Sequence, residues 1–135
     1  MKCPHNAHVA VVDGERFVLL RNDGQIFEPS LTKIAEPDLE ATNFSAGVKH
    51  QDKGGQMKGN TDLNELAHVT AATEWLNTMA KAGDMDELLV IADPKSLGEM
   101  RRHYHKELSA RLVGELDKSV AGEPLATIER IIAAA

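Results

Sequence analysis

Hydrophobic and polar positions at the start of the chain alternate as they do in paired β-strands. Two runs with this pattern, His8–Val12 and Arg16–Arg21, flank Asp13-Gly14, a dipeptide typical of tight hairpin turns. A second turn at 22–24 leads into Gln25–Ile34, a strand-like segment interrupted by a proline. The pattern predicts that the chain opens with an antiparallel meander.

A helical period begins further along the chain. Thr61 or Asp62 can cap a helix, Asp62 and Glu65 have capping-box spacing, and Gly83 supplies a stop. Apolar residues recur between these limits at nearly helical spacing. The predicted apolar stripe consists of Leu63, Leu66, Val69, Leu76 and Met79.

The second half of the chain indicates alternating strands and helices. The apolar run Glu87–Ala92 is typical of a buried central strand, and Asp93-Pro94 then begins a helix with Asp as the N-cap. Leu108–Leu116 fits a helix or a strand, and Pro124 opens a last helix. The buried helical positions are predicted to be Leu97, Met100, Tyr104, Leu125, Ile128, Ile131 and Ile132. These elements predict one α/β domain, residues 1–135, with a mixed sheet and helices on its faces.

The segment from Glu36 to Asn60 has no periodicity, and its glycine-rich part, Ala46–Asn60, is the predicted functional loop. Gly54 and Gly55 allow the backbone to approach a ligand closely, because they carry no Cβ. Gln56 adds a backbone N–H and a side-chain amide that can stabilise an oxyanion. The alternative is a flexible linker in which this tripeptide is coincidental. We expect residues 46–60 to be mobile in the free protein.

The formal net charge of −6 argues against broad nucleic-acid binding, which requires a strongly basic face. Local basic groups remain possible contacts with RNA phosphates. The candidate RNA-binding residues are Lys49, Lys53, Lys58, Arg101, Arg102 and Lys106. The competing interpretation is that these residues form ordinary solvated surface.

Cys3 has no cysteine to pair with, no apolar run approaches membrane-spanning length, and the start does not resemble a secretion signal. A cytoplasmic location is therefore expected, without membrane or DNA partners.

Common enzyme signatures are absent from the sequence, including the G-x-S-x-G, P-loop, dinucleotide-binding, H-E-x-x-H and C-x-x-C patterns. The pairs His5/His8 and His103/His105 lack thiol partners at zinc-finger spacing, so neither a metal nor a cofactor is predicted. Asp13 and Asp93 follow strands, where two-metal nucleases place carboxylates. Both also have structural explanations, as a turn residue and a helix cap, and a nuclease is kept as an alternative.

The most specific stretch of the chain is ADPKSLGEMRRHYHKEL. With the longer segment that contains it, the opening hairpin and the helix bearing Trp75, it resembles the bacterial host-attachment protein family. That family is regarded as a bacterial relative of archaeo-eukaryotic peptide-chain release factors. The resemblance covers nearly the whole chain. It implies the release-factor middle-domain fold, a five-stranded mixed sheet of ribonuclease H-like architecture, with a strand near Arg111–Lys118.

In release factors, a Gly-Gly-Gln tip precedes a long helix, and its glutamine helps water attack the ester joining the peptide to tRNA. Gly54, Gly55 and Gln56 match that tip, although Asp52 and Met57 depart from the basic and small residues usual around it. The resemblance implies a ribosome-associated protein that hydrolyses peptidyl-tRNA during ribosome rescue, with ribosome and tRNA as partners. Without codon-reading domains, it is not expected to terminate translation at stop codons. The alternative is a non-catalytic adaptor that binds RNA, a ribosome or a protein and is linked indirectly to host attachment.

Overall fold

The structure of the protein is a computed structural model that describes residues 1–39 and 57–135, with side chains of the long helix described from residue 63 onward. The described residues form five strands and four helices. In chain order these are β1 His8–Val12, β2 Phe17–Asn22, β3 Leu31–Ala35, α1 Met57–Ala82, β4 Leu88–Ala92, α2 Pro94–Arg101, α3 Lys106–Ser109, β5 Leu112–Asp117 and α4 Leu125–Ala134.

The five strands form one mixed sheet in the order β3-β2-β1-β4-β5. β2 pairs antiparallel with β1 and β3, which confirms the predicted meander. β4 pairs parallel with β1 and β5. The chain reaches β4 from β3 through α1, and it passes from β4 to β5 through α2 and α3. The five-stranded mixed sheet flanked by helices confirms the predicted fold class.

The connection from β1 to β2 is longer than the tight Asp13-Gly14 turn that the sequence predicts. Val12 pairs with Phe17, so residues 13–16 all lie in the turn. The Oδ1 atom of Asp13 accepts hydrogen bonds from the backbone N–H groups of Glu15 (2.8 Å) and Arg16 (2.6 Å). This side chain stabilises the wider turn, because it satisfies two backbone donors that a shorter turn would not expose. The role of Asp13 as a turn residue is confirmed.

The sheet separates two apolar cores. Every residue of β4 is buried, as predicted for a central strand. One core lies between the sheet and α1, α2 and α3, and the other lies between the opposite face and α4. In α4, Ile128 and Ile132 are fully buried against the second face. Each fully buried side chain of this size contributes roughly 1.5–3 kcal/mol to folding.

Helix α1 begins at Met57, before the Thr61 and Asp62 caps that the sequence predicts. A cap contributes only about 1 kcal/mol, and extending an existing helix by one turn costs little once packing has nucleated it. Leu63 belongs to the predicted apolar stripe, yet it is 62% exposed. The helix ends as predicted at Gly83, which has φ +79°.

The second half of the chain follows the predicted order. Asp93 caps α2 by accepting a hydrogen bond from the Ser96 N–H (3.1 Å), and Pro94 is the first helical residue. The ambiguous segment Leu108–Leu116 divides into the end of α3 and most of β5. The strand implied near Arg111–Lys118 is therefore confirmed as Leu112–Asp117.

Candidate functional site

Most of the candidate catalytic and RNA-binding residues of the predicted loop lie in segment 40–56, between the two described parts of the chain. Gly54, Gly55, Gln56, Lys49 and Lys53 lie outside the described residues. Lys58 lies in the first turn of α1, with its side chain also outside the description. Mobility is predicted for residues 46–60. Residues 46–56 lie outside the described residues, and residues 57–60 belong to α1.

Both ends of segment 40–56 connect to the same side of the sheet. At one end, Leu39 is only 4% exposed and packs in the core beneath α1. At the other end, α1 begins at Met57, directly after Gln56. The Gly-Gly-Gln tripeptide is therefore joined directly to a 26-residue helix.

The amino-terminal half of α1 is held against the β1–β2 turn. His68 Nδ1 donates a hydrogen bond to the carbonyl oxygen of Asp13 (3.0 Å). A Cβ placed at Gly14 would lie 2.8 Å from Cγ of Glu65, so the helix contacts the turn more closely than another residue would permit. The Phe17 and Trp75 rings add an edge-to-face contact, with centroids 5.4 Å apart. Periodicity does not predict the His68 contact, since nothing in the pattern distinguishes it from a solvated histidine.

Helix α1 extends well beyond this contact towards segment 40–56. Met57 precedes His68 by eleven residues. With a rise of about 1.5 Å per residue, Met57 stands about 16 Å along the axis from the contact. Leu63, the first residue of α1 whose side chain is described, is exposed.

A buried asparagine fixes the other half of α1. Asn77 is 2% exposed, and its Nδ2 donates to the carbonyl oxygen of His103 (2.9 Å). Its Oδ1 accepts from the N–H of His105 (3.0 Å). These bonds pair two backbone groups in the linker between α2 and α3 that would otherwise have no partner. The sequence does not single out this residue, because a polar side chain in a helix is usually exposed.

The predicted basic group Arg101, Arg102 and Lys106 lies at the end of α2 and the start of α3. The Arg101 guanidinium donates to Glu115 Oε1 from two nitrogens, at 2.8 and 3.1 Å. Arg102 is 3.4 Å from a Glu99 carboxylate oxygen, and Lys106 is exposed. Carboxylates therefore compensate both arginines, whereas Lys106 is only known to be exposed.

Tyr104 shares the Glu115 carboxylate with Arg101, because its hydroxyl donates to Glu115 Oε2 (2.7 Å). Burial and this hydrogen bond raise the pKa of Tyr104 far above its usual value. Partial burial opposes ionisation of Glu115, but the hydrogen bonds from Arg101 and Tyr104 outweigh it, so the Glu115 pKa is lowered. The triad is a structural unit that attaches α2 to the edge strand β5.

A cleft of about 300 Å³ opens where β1 and β4 end, between the β1–β2 turn, α1 and α2. Asp13 and Asp93, the pair considered for a nuclease, both line it. Each already makes structural hydrogen bonds, in the turn and at the α2 N-cap. Within 1–39 and 57–135, no three acidic, histidine or cysteine side chains are placed to hold a metal ion.

The histidine pairs have separate structural surroundings. His103 Nε2 lies 2.9 Å from Glu99 Oε2, and His105 Nδ1 accepts from the Glu107 N–H (3.0 Å) to cap α3. His5 Nδ1 lies 2.8 Å from the carbonyl oxygen of Gly24. Burial, with a contribution from Arg21, lowers the pKa of His8, whose Nδ1 is buried without a partner in the described part of the chain.

The chain was compared with models of known protein families. The model for bacterial archaeo-eukaryotic release factor family 12 matches residues 6–132. The chain belongs to this family. Membership in family 12 confirms the relationship to release factors that the sequence resemblance implies. Comparison with curated proteins gives no match.

The part of the chain that matches the family 12 model contains every described strand and almost all of the last helix. This supports a release-factor-like role in general terms. Among the described residues of this family 12 protein, no helix is long and apolar enough to cross a membrane.

Proposed function

We propose that this protein acts at the ribosome as a release-factor-like hydrolase, cleaving the ester of peptidyl-tRNA through Gly54, Gly55 and Gln56. The observation that carries the proposal is the position of this tripeptide directly before α1, in a chain that matches a release-factor family over residues 6–132. Fold alone would not suffice, since one fold hosts many functions.

The proposed chemistry is the addition of water to the ester carbonyl. The water oxygen bonds to the carbonyl carbon, the bond to the tRNA oxygen breaks, and that oxygen takes up a proton. Gln56 orients the water and donates hydrogen bonds to the developing oxyanion, and this stabilises the transition state without a titrating base. Gly54 and Gly55 let the backbone approach the ester closely.

The described contacts of α1 support this proposal in physical terms. Catalysis by positioning requires the reacting groups to be held with little freedom. The His68–Asp13 and Asn77–His103 hydrogen bonds hold α1 at two places along its length. Lys49, Lys53 and Lys58 would contact RNA phosphates beside the tripeptide. Lys106 would add a further contact, and Arg101 and Arg102 would do so only by leaving their carboxylate partners.

Peptide release from ribosome-bound peptidyl-tRNA tests the proposal. The wild-type protein should release peptide, and Gln56→Ala should abolish most of that activity. Absence of release by the wild type, or equal release by both proteins, would refute the hydrolase.

The second candidate function is a non-catalytic adaptor that binds RNA, a ribosome or a protein. Charge favours the protein-binding form of this adaptor, because the net charge is −6 and Glu115 and Glu99 compensate Arg101 and Arg102. Co-sedimentation with ribosomes that is lost as salt rises, without peptide release, would identify a ribosomal adaptor. A pull-down without ribosomal components would instead favour a protein-binding role linked indirectly to host attachment.

A further inference from the structure

A cavity of about 540 Å³ opens at the amino ends of β1 and β4, beside the turn that ends α1. The proposed hydrolysis does not use it, because it lies at the carboxyl end of α1, about 38 Å along the helix axis from Met57. Its lining combines imidazole, guanidinium and carboxylate side chains, those of His5, His8, Arg21, Asp84, Asp86 and Glu87.

Strand pairing places two of these side chains next to each other. His8 of β1 pairs with Arg21 of β2, and directly paired residues of antiparallel strands point to the same face of a sheet. That face is the one covered by α1, because Ala10 and Leu19, two positions along each strand, lie in the core beneath this helix. His8 and Arg21 therefore form the sheet wall of the cavity, where that core ends.

The His8 imidazole carries the observation that points to a ligand. Its Nδ1 atom is buried and has no hydrogen-bond partner within residues 1–39 and 57–135. A buried polar atom without a partner is costly and uncommon in native proteins. His8 as a whole is only partly buried and lines the cavity, so rotation of its ring can turn Nδ1 towards a ligand there.

Charges of both signs act on this imidazole. The Arg21 guanidinium donates to Asp23 Oδ1 through Nε (2.8 Å), its only hydrogen bond in the described part of the chain. Its two terminal nitrogens can therefore bind a carboxylate in bidentate fashion. Arg21 lowers the pKa of His8 and Asp86 raises it, so both charges lie near the same ring. Asp84 adds another carboxylate to the lining.

This mixture of charges favours a ligand that itself carries both signs. A simple anion would be attracted by Arg21 but would meet three carboxylates in the same cavity. A simple cation would be repelled by Arg21 and would leave its terminal nitrogens unpaired. A zwitterion compensates both kinds of group, and the volume lies in the usual range for small-molecule sites.

We propose that this cavity binds a small zwitterion, the ammonium and carboxylate groups of a free amino acid or of a short peptide. The terminal nitrogens of Arg21 donate to the carboxylate, and Asp86 and Asp84 accept hydrogen bonds from the ammonium. The His8 ring turns so that Nδ1 forms a hydrogen bond with the ligand. No covalent bond changes, and binding does not depend on the proposed hydrolysis.

NMR on the full chain tests this proposal, with glycine and triglycine as probes and with methylammonium chloride and sodium acetate as single-charge controls. Saturable amide shifts should concentrate at His8, Arg21 and Asp86, and the imidazole ¹⁵N resonances of His8 should move with them. Tighter binding of glycine would identify a free amino acid, and tighter binding of triglycine would identify a peptide. Absence of saturable shifts with both zwitterions, or equally tight binding of either control, would overturn the proposal.

Charge-matched variants make the assignment specific. Arg21→Gln and Asp86→Asn should each weaken binding about ten-fold, the effect of losing one charge-assisted contact. Arg130→Gln on α4 and Asp117→Asn at the carboxyl end of β5 change exposed residues away from the cavity and should leave binding unchanged. Equal affinity of all four variants would refute the site.

His8→Leu separates binding from folding. Leucine has a similar size and no polar atom, so this variant should unfold at a urea concentration no lower than the wild type does. It should nevertheless bind glycine and triglycine more weakly. Wild-type affinity in His8→Leu would refute the role of His8. Lower stability would show that Nδ1 has a partner within the protein, and it would overturn the proposal.

Discussion

The Nδ1 atom of His68 lies 3.0 Å from the carbonyl oxygen of Asp13 and joins the long helix α1 to the turn between β1 and β2. This hydrogen bond spans 55 positions of sequence. It therefore fixes where the helix that follows Gly54-Gly55-Gln56 crosses the sheet. Gln56 directly precedes α1 in the sequence, so contacts that hold α1 also bear on the proposed function of the tripeptide.

Replacing His68 by Ala should lower the free energy of unfolding by about 1 kcal/mol, because the partly buried Asp13 carbonyl loses its donor. Urea unfolding will measure the change. His68→Gln retains a donor on a flexible side chain and should recover part of the loss. Equal stability of wild type and His68→Ala would show that this bond does not hold the helix.

Gly14→Ala should destabilise the protein by about 1–3 kcal/mol, because the new methyl group would lie within 3.0 Å of three Glu65 side-chain carbons. Gly98→Ala is the matched control, since its Cβ would meet no atom within 4 Å. Gly98 is inside α2, so Ala there should stabilise by roughly 0.5–1 kcal/mol. Thermal unfolding that moves both variants in the same direction would contradict the close contact.

Asn77→Ala should cost about 2–3 kcal/mol, because it removes two hydrogen bonds and leaves partly buried backbone groups at His103 and His105 unpaired. Asn64→Ala is the control on the same helix, where the side chain is exposed, and it should change stability by less than about 0.5 kcal/mol. Similar unfolding midpoints in urea for the two variants would show that Asn77 is not a structural anchor.

The Glu115–Tyr104–Arg101 triad predicts two limbs in the pH dependence of stability. The Glu115 pKa is lowered by folding, so its contribution is present above the unfolded value of about 4.3 and is lost as pH falls through the folded value. The Tyr104 pKa is raised, so its contribution is present below about 10 and is lost at higher pH. Glu115→Gln should remove the acid limb, and Tyr104→Phe should remove the alkaline limb.

Absorbance of the tyrosinate ion measures the alkaline limb directly, because the chain contains one tyrosine. Tyr104 should ionise at higher pH in the folded protein than in urea. Ionisation at the same pH in both states would contradict its burial against Glu115.

The elements that the sequence predicts well are those whose signals are local. β4 is predictable because its apolar run requires burial, and the start of α2 is predictable because Asp93 caps the helix and Pro94 favours its first position. The start of α1 is less predictable, because Thr61 and Asp62 are good caps but capping is weaker than helix extension. The predicted buried stripe fails at Leu63, which is exposed, since periodicity alone does not indicate how far along a helix its apolar face is covered.

Contacts between distant segments are the part that the sequence does not reveal. His68 and Asn77 each bond to backbone atoms of other elements, and backbone atoms carry no sequence signal. The cleft where β1 and β4 end is another example, because Asp13 and Asp93, which both line it, lie far apart along the chain. Gly54-Gly55-Gln56, by contrast, is evident from the sequence alone, and its chemistry is the proposal that most needs measurement.

The most direct test is the single-turnover rate of peptide release from ribosomes carrying peptidyl-tRNA, measured with wild type, Gln56→Ala and the control Gln25→Ala. Gln25 is exposed in the β2–β3 turn and should be neutral. Loss of one oxyanion donor typically costs a hundred- to a thousand-fold in rate, so Gln56→Ala should be slower by about that factor. A wild-type protein that releases no peptide, or a Gln56→Ala variant that releases it at the wild-type rate, would contradict the proposed function.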